Sequence, residues 1–275
     1  MDTAITTIPN TFGATLADTI RRFAVTTKMI ILTYLRARSA IVFGLVFPSL
    51  LYLLYGNIFK GATNVTGTGE GQIDAALYLM PSVITWSLVL MGISGSMQLV
   101  QLRLHGVFRI LRATPMPAVQ FLLALVCTQL LLVVAQVSLM VLLGAVVFNV
   151  HPTFDGWYLA VAGILGGAAV FIALGQFIAL ISPQIQTANI FNQVINLATT
   201  FFCNLFLRLS TMPDAIQHVG RYLPGFLVVD ILRPALIVGN VATGNTWNNP
   251  LLDLAGLAVY FVALLAATTW LFRRL

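Results

Sequence analysis

Leu102–Pro117 reads "LRLHGVFRILRATPMP", with three arginines, one histidine and no acid. On either side the chain is almost pure hydrocarbon for about 20 residues or more, the length that crosses a bilayer as a helix. A basic island between two such runs marks a chain that threads a membrane repeatedly. Of the 275 residues, 59% are hydrophobic and 8% charged, and the mean hydropathy is +0.95. Soluble domains carry about 25% charge, so this chain cannot coat a water-facing surface. No stretch between the apolar runs is long enough for a soluble catalytic domain.

The apolar runs predict an all-α polytopic membrane protein, residues 1–275 forming one domain with six spans at roughly 39–59, 76–100, 118–148, 157–181, 187–207 and 251–272. Pro48, midway along the first run, removes a backbone bond and predicts a kink. In the fourth, Gly163 and Gly167 are spaced to let two helices approach closely. Residues 11–38 precede the spans of 39–207. On a helix they place Leu16, Ile20, Phe23 and Thr27 on one face and Asp18, Arg21 and Arg22 opposite, which predicts an amphipathic helix lying on the inner leaflet. Residues 208–250 are semi-apolar but broken by Pro213, Pro224 and Pro234. Short helices dipping partway into the outer leaflet are expected there, shielded by protein because irregular backbone cannot face lipid. Residues 251–275 form the last span and a basic tail.

Ten of the 14 Lys and Arg residues fall before the first span, in the island after the second, or at the C-terminus. Positive charge stays inside, so both termini are expected to be cytoplasmic. No signal-peptide pattern precedes the first apolar run, so the first span is expected to be kept as an anchor.

Several chemistries are tested and set aside. "GISG", Gly92–Gly95, matches the serine motif of six-span membrane proteases, but Ser94 needs a base within reach. His105, His151 and His218 all fall in predicted loops, and small-residue packing is the reading preferred for this stretch. No Walker-type nucleotide loop and no metal-ligand spacing is present. Cys127 and Cys203 both sit in apolar runs without metal-ligand neighbours. No metal, no cofactor bound by this chain and no nucleic-acid partner are expected. Ionisable groups are expected to be absent from the spans, apart from Asp253 near an end.

The fifth run, "QTANIFNQVINLATTFFCN", places Gln186, Asn189, Gln193, Asn196, Thr200 and Asn204 at steps of three and four. They form one uncharged polar stripe, with Asn192 just off it. Polar groups are costly in hydrocarbon and must face protein or water. The stripe reads either as the wall of a translocation path or a symmetric seam, or as interhelical hydrogen bonding. The basic island is two-faced as well. Leu104, Val107, Phe108 and Leu111 share an apolar side, with His105, Arg109 and Arg112 opposite. Pro115 ends the helix, because a residue before proline avoids the helical region. The island fits either a loop lying on lipid or a helix docking a cytoplasmic partner.

The order of these elements resembles the type-2 ABC exporter permeases. That family has a cytoplasmic elbow helix, six spans, a coupling helix between spans 2 and 3, and re-entrant helices before span 6. Its loop pattern, roughly E-R-E-x-G-T-L-E-R-L-L-A-T-P, corresponds here to "QLRLHGVFRILRATP", with Gly106, Arg109, Leu111, Ala113, Thr114 and Pro115 in place. "YLPGFLVVDILRPALIVG" resembles the segment before span 6. The pattern's glutamates are missing, and Val107-Phe108 replaces Thr-Leu, so either an acidic partner groove or contact of the arginines with lipid phosphate is expected.

The resemblance implies a transport subunit without its own ATP site. Two ABC ATPase subunits would carry ATP and Mg, and a second permease copy, identical or homologous, would complete the assembly in a bacterial or archaeal plasma membrane. It implies an ATPase-coupling helix of Arg103, His105, Gly106, Val107, Phe108, Arg109, Leu111, Arg112 and Pro115. Within that assembly the polar stripe of Asn189, Gln193, Asn196, Thr200 and Asn204 is expected to line the path, and its uncharged character suits a drug-like, lipid-like or glycan-type cargo. The alternatives are a non-transporting anchor or assembly subunit and an autonomous secondary transporter.

Overall fold

The computed structural model describes residues 16–36, 42–58, 75–104, 106, 118–149, 156–202, 213–236 and 249–274. Among the described residues the chain is helical throughout, without strands. The helices are α1 (Leu16–Arg36), α2 (Phe47–Ile58, entered through a π-helical turn at Val42–Val46), α3 (Ala75–Leu104), α4 (Ala118–Val147), α5 (Trp157–Ile181), α6 (Ile185–Phe202), α7 (Asp214–Gly220), α8 (Pro224–Leu236) and α9 (Pro250–Arg274).

Among the described residues, four segments are long and apolar enough to cross a membrane: Ala76–Leu104, Leu123–Val147, Trp157–Ile181 and Pro250–Leu271. They coincide with the second, third, fourth and sixth expected spans. The described apolar part of the first is the shorter Gly44–Ile58. Helix α6 has 18 residues, but Gln186, Asn189, Asn192, Gln193 and Asn196 lower its hydropathy.

Helix α3 is the axis of the molecule, with 78% of its apolar window buried against 22% for α4 and 17% for α9. It packs most extensively against α5 and also meets α2, α4, α6 and α8. Around it Met80, Ile84, Leu88, Met140, Phe171 and Ile231 form the main core. Lipid tails are as apolar as leucine, so this core is held by close packing rather than by escape from water. Glycines set how close the packing is. A Cβ on Gly175 of α5 would stand 2.5 Å from the Gly92 carbonyl oxygen of α3. One on Gly92 would stand 2.5 Å from Phe171 Cβ. The "GISG" stretch is therefore the α3–α5 crossing, as its packing reading required.

The Gly163/Gly167 pair serves a second close contact, and its partner is α8. Cβ atoms there would meet Ile231 Cγ2 at 2.8 Å and Val228 Cγ2 at 2.6 Å, while one on Gly156 would meet Ala235 Cα at 3.1 Å. The order of these contacts makes α8 antiparallel to the first part of α5, over a rise of about 16 Å. The start of α8 lies beside α9, where a Cβ on Gly256 would stand 3.1 Å from Leu227 Cδ1. The Tyr260 hydroxyl of α9 donates to the Tyr222 carbonyl at 2.7 Å.

The irregularity expected at Pro48 appears as the π-helical turn before α2. Pro48 has no N–H to give to the Gly44 carbonyl. Gln136 of α4, fully buried, compensates. With its amide oxygen toward Ser49, its nitrogen lies 3.1 Å from the Leu45 carbonyl and 3.3 Å from that of Gly44. Helix α1 packs along α4. Phe23 and Thr27 are half-buried, and Arg21, Lys28 and Arg36 are exposed. Val25, Met29 and Leu32 are exposed too, an apolar line that the two-faced reading did not contain.

Candidate functional site

Helix α6 carries two polar lines rather than one stripe. Ala188, Asn192 and Thr199 are buried and Asn196 is half-buried, on the side toward α3. Gln186, Asn189 and Gln193 are exposed, on a side shared with Ile190, Val194 and Leu197. Of the expected path residues, Asn189 and Gln193 therefore lie together on the open side. Asn196 accepts a hydrogen bond from the Trp86 indole Nε1–H at 3.1 Å. The Thr200 hydroxyl donates to the Asn196 carbonyl of its own helix at 2.7 Å. Asn204 lies outside the described residues.

The inward line forms a polar seam with α3. Ser96 Oγ donates to Asn192 Oδ1 at 3.1 Å, and Asn192 Nδ2 donates back to Ser96 Oγ at 2.9 Å. Each group meets the other's donor and acceptor, as a buried polar pair must. Trp86 sits above this pair, packed on Phe226 and Val229 of α8 and tilted against Phe47 of α2 at 5.9 Å between ring centroids. Four helices thus meet at one indole.

At the other end of α3 lies Arg103. Its Nη1 donates to the Leu180 carbonyl at 3.3 Å and its Nη2 to the Ser182 carbonyl. These carbonyls belong to the C-terminus of α5, where intrahelical donors run out. A cation at such an end contributes about 0.3–1 kcal/mol when exposed and up to ~2 when partly buried; Arg103 is half-buried. Gly106 closes α3 with φ of +72°, its N–H donating to the Arg103 carbonyl at 3.1 Å. Glycine adopts that left-handed conformation without steric cost. His105, Val107, Phe108, Arg109, Leu111, Arg112 and Pro115 of the expected coupling helix lie outside the described residues.

Asp253, the one ionisable residue expected within a span, is buried, and so are Asp230 and Arg233 of the proline-broken segment before it, which the sequence did not single out. Asp230 and Arg233 stand three apart on α8, hence on adjoining faces. Arg233 Nη2 donates to Ser82 Oγ at 3.5 Å, and its guanidinium lies 4.7 Å from the Tyr78 ring centroid, a cation–π contact. The sequence hid this group because the proline-broken segment reads as short helices of unassigned facing. The helical spacing of Phe226, Val229, Asp230 and Arg233 was the available signal.

Ser94 is exposed, and its hydroxyl donates to the Met91 carbonyl one turn back at 2.8 Å. His218 is exposed on α7, whereas His105 and His151 lie outside the described residues. Among the described residues no three His, Cys, Asp or Glu side chains gather. Asn192, Ser96 and Trp86, which make the seam, were missed as a group. Asn192 and Asn196 are four apart and so share a face, but on a helix polar on both sides that spacing does not say which face meets protein.

The ABC-2 type transporter membrane family matches residues 21–237, from within α1 to just beyond α8. A Bacillus subtilis (strain 168) protein described as "Putative transport permease YvfS" is 28% identical over 196 residues, 70% of this chain and 76% of its own length. Nodulation protein J of Bradyrhizobium diazoefficiens is 28% identical over 105 residues, 38% of each chain. With helices alone among its described residues, four of them of membrane length, and a family match over most of its length, the chain belongs to the ABC-2 type transporter family, as a multi-pass transmembrane transport permease.

Proposed function

We propose that the chain is the permease subunit of an ATP-driven exporter that works with a separate ATPase chain. Two permease copies, identical or homologous, would face each other across their α6 helices, with two ATPase copies on the cytoplasmic side. The observation that carries this reading is the open side of α6. It presents Gln186, Asn189 and Gln193 while its other side is bonded to α3. An amide left in hydrocarbon costs roughly 2–7 kcal/mol, depending on the reference state. Exposed amides on a membrane helix therefore belong against water or a second protein surface.

In this reading α2 and α6 complete a set of six spans. Helix α1 is the elbow, and α7 with α8 forms the re-entrant hairpin, which the antiparallel course of α8 along α5 supports. The basic residues put both termini in the cytoplasm of a bacterial or archaeal cell. ATP and Mg would be held by the partner chain, and the 103–115 segment would receive its motion. An uncharged amide lining suits an amphipathic cargo of drug-like, lipid-like or glycan type.

Single cysteines along α6 test the path. With a membrane-impermeant maleimide, Asn189→Cys and Gln193→Cys are expected to label readily, and Asn192→Cys and Thr199→Cys to resist. Equal protection of all of them, matching lipid-facing Leu142→Cys, would leave α6 as a packing helix and end the path reading.

A further inference from the structure

Arg103, Ser96 and Trp86 lie along the same helix, and each is tied to α6 or to the corner that feeds it. Arg103 reaches the Leu180 and Ser182 carbonyls. Ser96 is paired with Asn192 in both directions. Trp86 donates to Asn196. The three ties cover about 25 Å of α3 at 1.5 Å per residue. Only Pro183 and Gln184 separate the Ser182 cap of α5 from the start of α6. Around that corner Leu99, Val100, Leu125, Ile178, Ala179 and Ala188 pack as a separate cluster, with Ile30 of α1 against it. Two ties fasten α3 directly to α6 and the third fastens it to the α5 end that feeds α6, so the two helices cannot pivot about a single point.

From this geometry we infer that α3 and α6 move as one rigid lever. Arg103 is its inner fastener and not part of a docking face. Arg103 is a positioning residue. It hands displacement at the Gly106 end of α3 to the α5–α6 corner, and so to the open amides of α6. This rests on the permease reading above. It changes what the basic island does: Arg103 points back into the bundle, so partner docking falls to the charges beyond Gly106.

The test uses the chain with its co-purified ATPase in nanodiscs of phosphatidylethanolamine and phosphatidylglycerol. Spin labels at Gln193 in the two copies report opening of the seam. A pair at Gln101 and Gln184, both exposed, reports the lever. In the native chain, ATP with vanadate is expected to shift the Gln193 distance and leave the Gln101–Gln184 distance fixed. In Arg103→Ala the ATPase should still co-purify, but the Gln101–Gln184 distance should become nucleotide-dependent and the Gln193 shift fall below half. Arg103→Lys, which keeps the charge and one donor, should restore most of the shift. Ser96→Ala with Asn192→Leu should loosen the lever from its middle, so the inference stays testable if Arg103→Ala does not fold. A full Gln193 shift in Arg103→Ala would overturn the lever. So would loss of the ATPase from that variant, which would place Arg103 in the docking face. A native chain that retains no ATPase would instead overturn the permease reading itself, before any variant is made.

Discussion

Gly175 limits how near α5 can come to α3. A Cβ there would stand 2.5 Å from the Gly92 carbonyl oxygen and 3.2 Å from Ile93 Cα, and neither is a flexible side chain that could turn aside. Gly175→Val should therefore force the two helices apart. Overpacking of this kind costs about 1–3 kcal/mol, so the variant's unfolding midpoint in detergent should fall clearly below the native one. Gly166→Ala is the control, because the nearest atom to its Cβ would be Leu257 Cδ1 at an ordinary 3.6 Å, and it should unfold with the native chain. The sequence showed that Gly92 and Gly163 serve packing, since small residues in an apolar run have little else to offer. It did not show which helix each one meets. Asp230 and Arg233 were harder to read for a different reason. A charge on a short, proline-broken helix has no assigned surroundings until the fold places Tyr78 and Ser82 beside Arg233.

Elements differed in how well their sequences described them. Helices α3, α4, α5 and α9 are long apolar runs, and their expected bounds agree with the structure to within a few residues apart from the inner end of α3. That end runs on to Leu104, because Arg103 is held by α5 rather than left in the loop. Helix α6 was read as one stripe, but its amides lie on two sides. Asn192 and Asn196 bond to α3, and Asn189 and Gln193 remain open. Periodicity finds a polar face; it does not distinguish two neighbouring ones when both are amides. If Arg109 and Arg112 dock an acidic partner surface, Arg109→Glu with Arg112→Glu reverses the sign of that contact. ATP hydrolysis in the reconstituted assembly should then persist while its response to cargo is lost. Retention of the full cargo response would move the docking contact elsewhere.

At the scale of the whole molecule, α3 is a central post with α5 crossing it closely, α8 wedged beside both, and α6 bonded along it. The membrane class was legible from composition, because 8% charge cannot dress a soluble surface, and the helices from the length of the apolar runs. The family was legible from the order of elements, and the match over residues 21–237 bears it out. Under the function proposed above, the permease moves cargo only with energy from another chain. That dependence can be measured by purifying the chain from its native membrane in gentle detergent and following vanadate-sensitive ATP hydrolysis before and after the associated subunits are stripped. Hydrolysis is expected in the intact complex, abolished when the chain stands alone and restored on adding the subunits back. Hydrolysis by the isolated chain, or a native preparation that carries no ATPase, would overturn the proposed function.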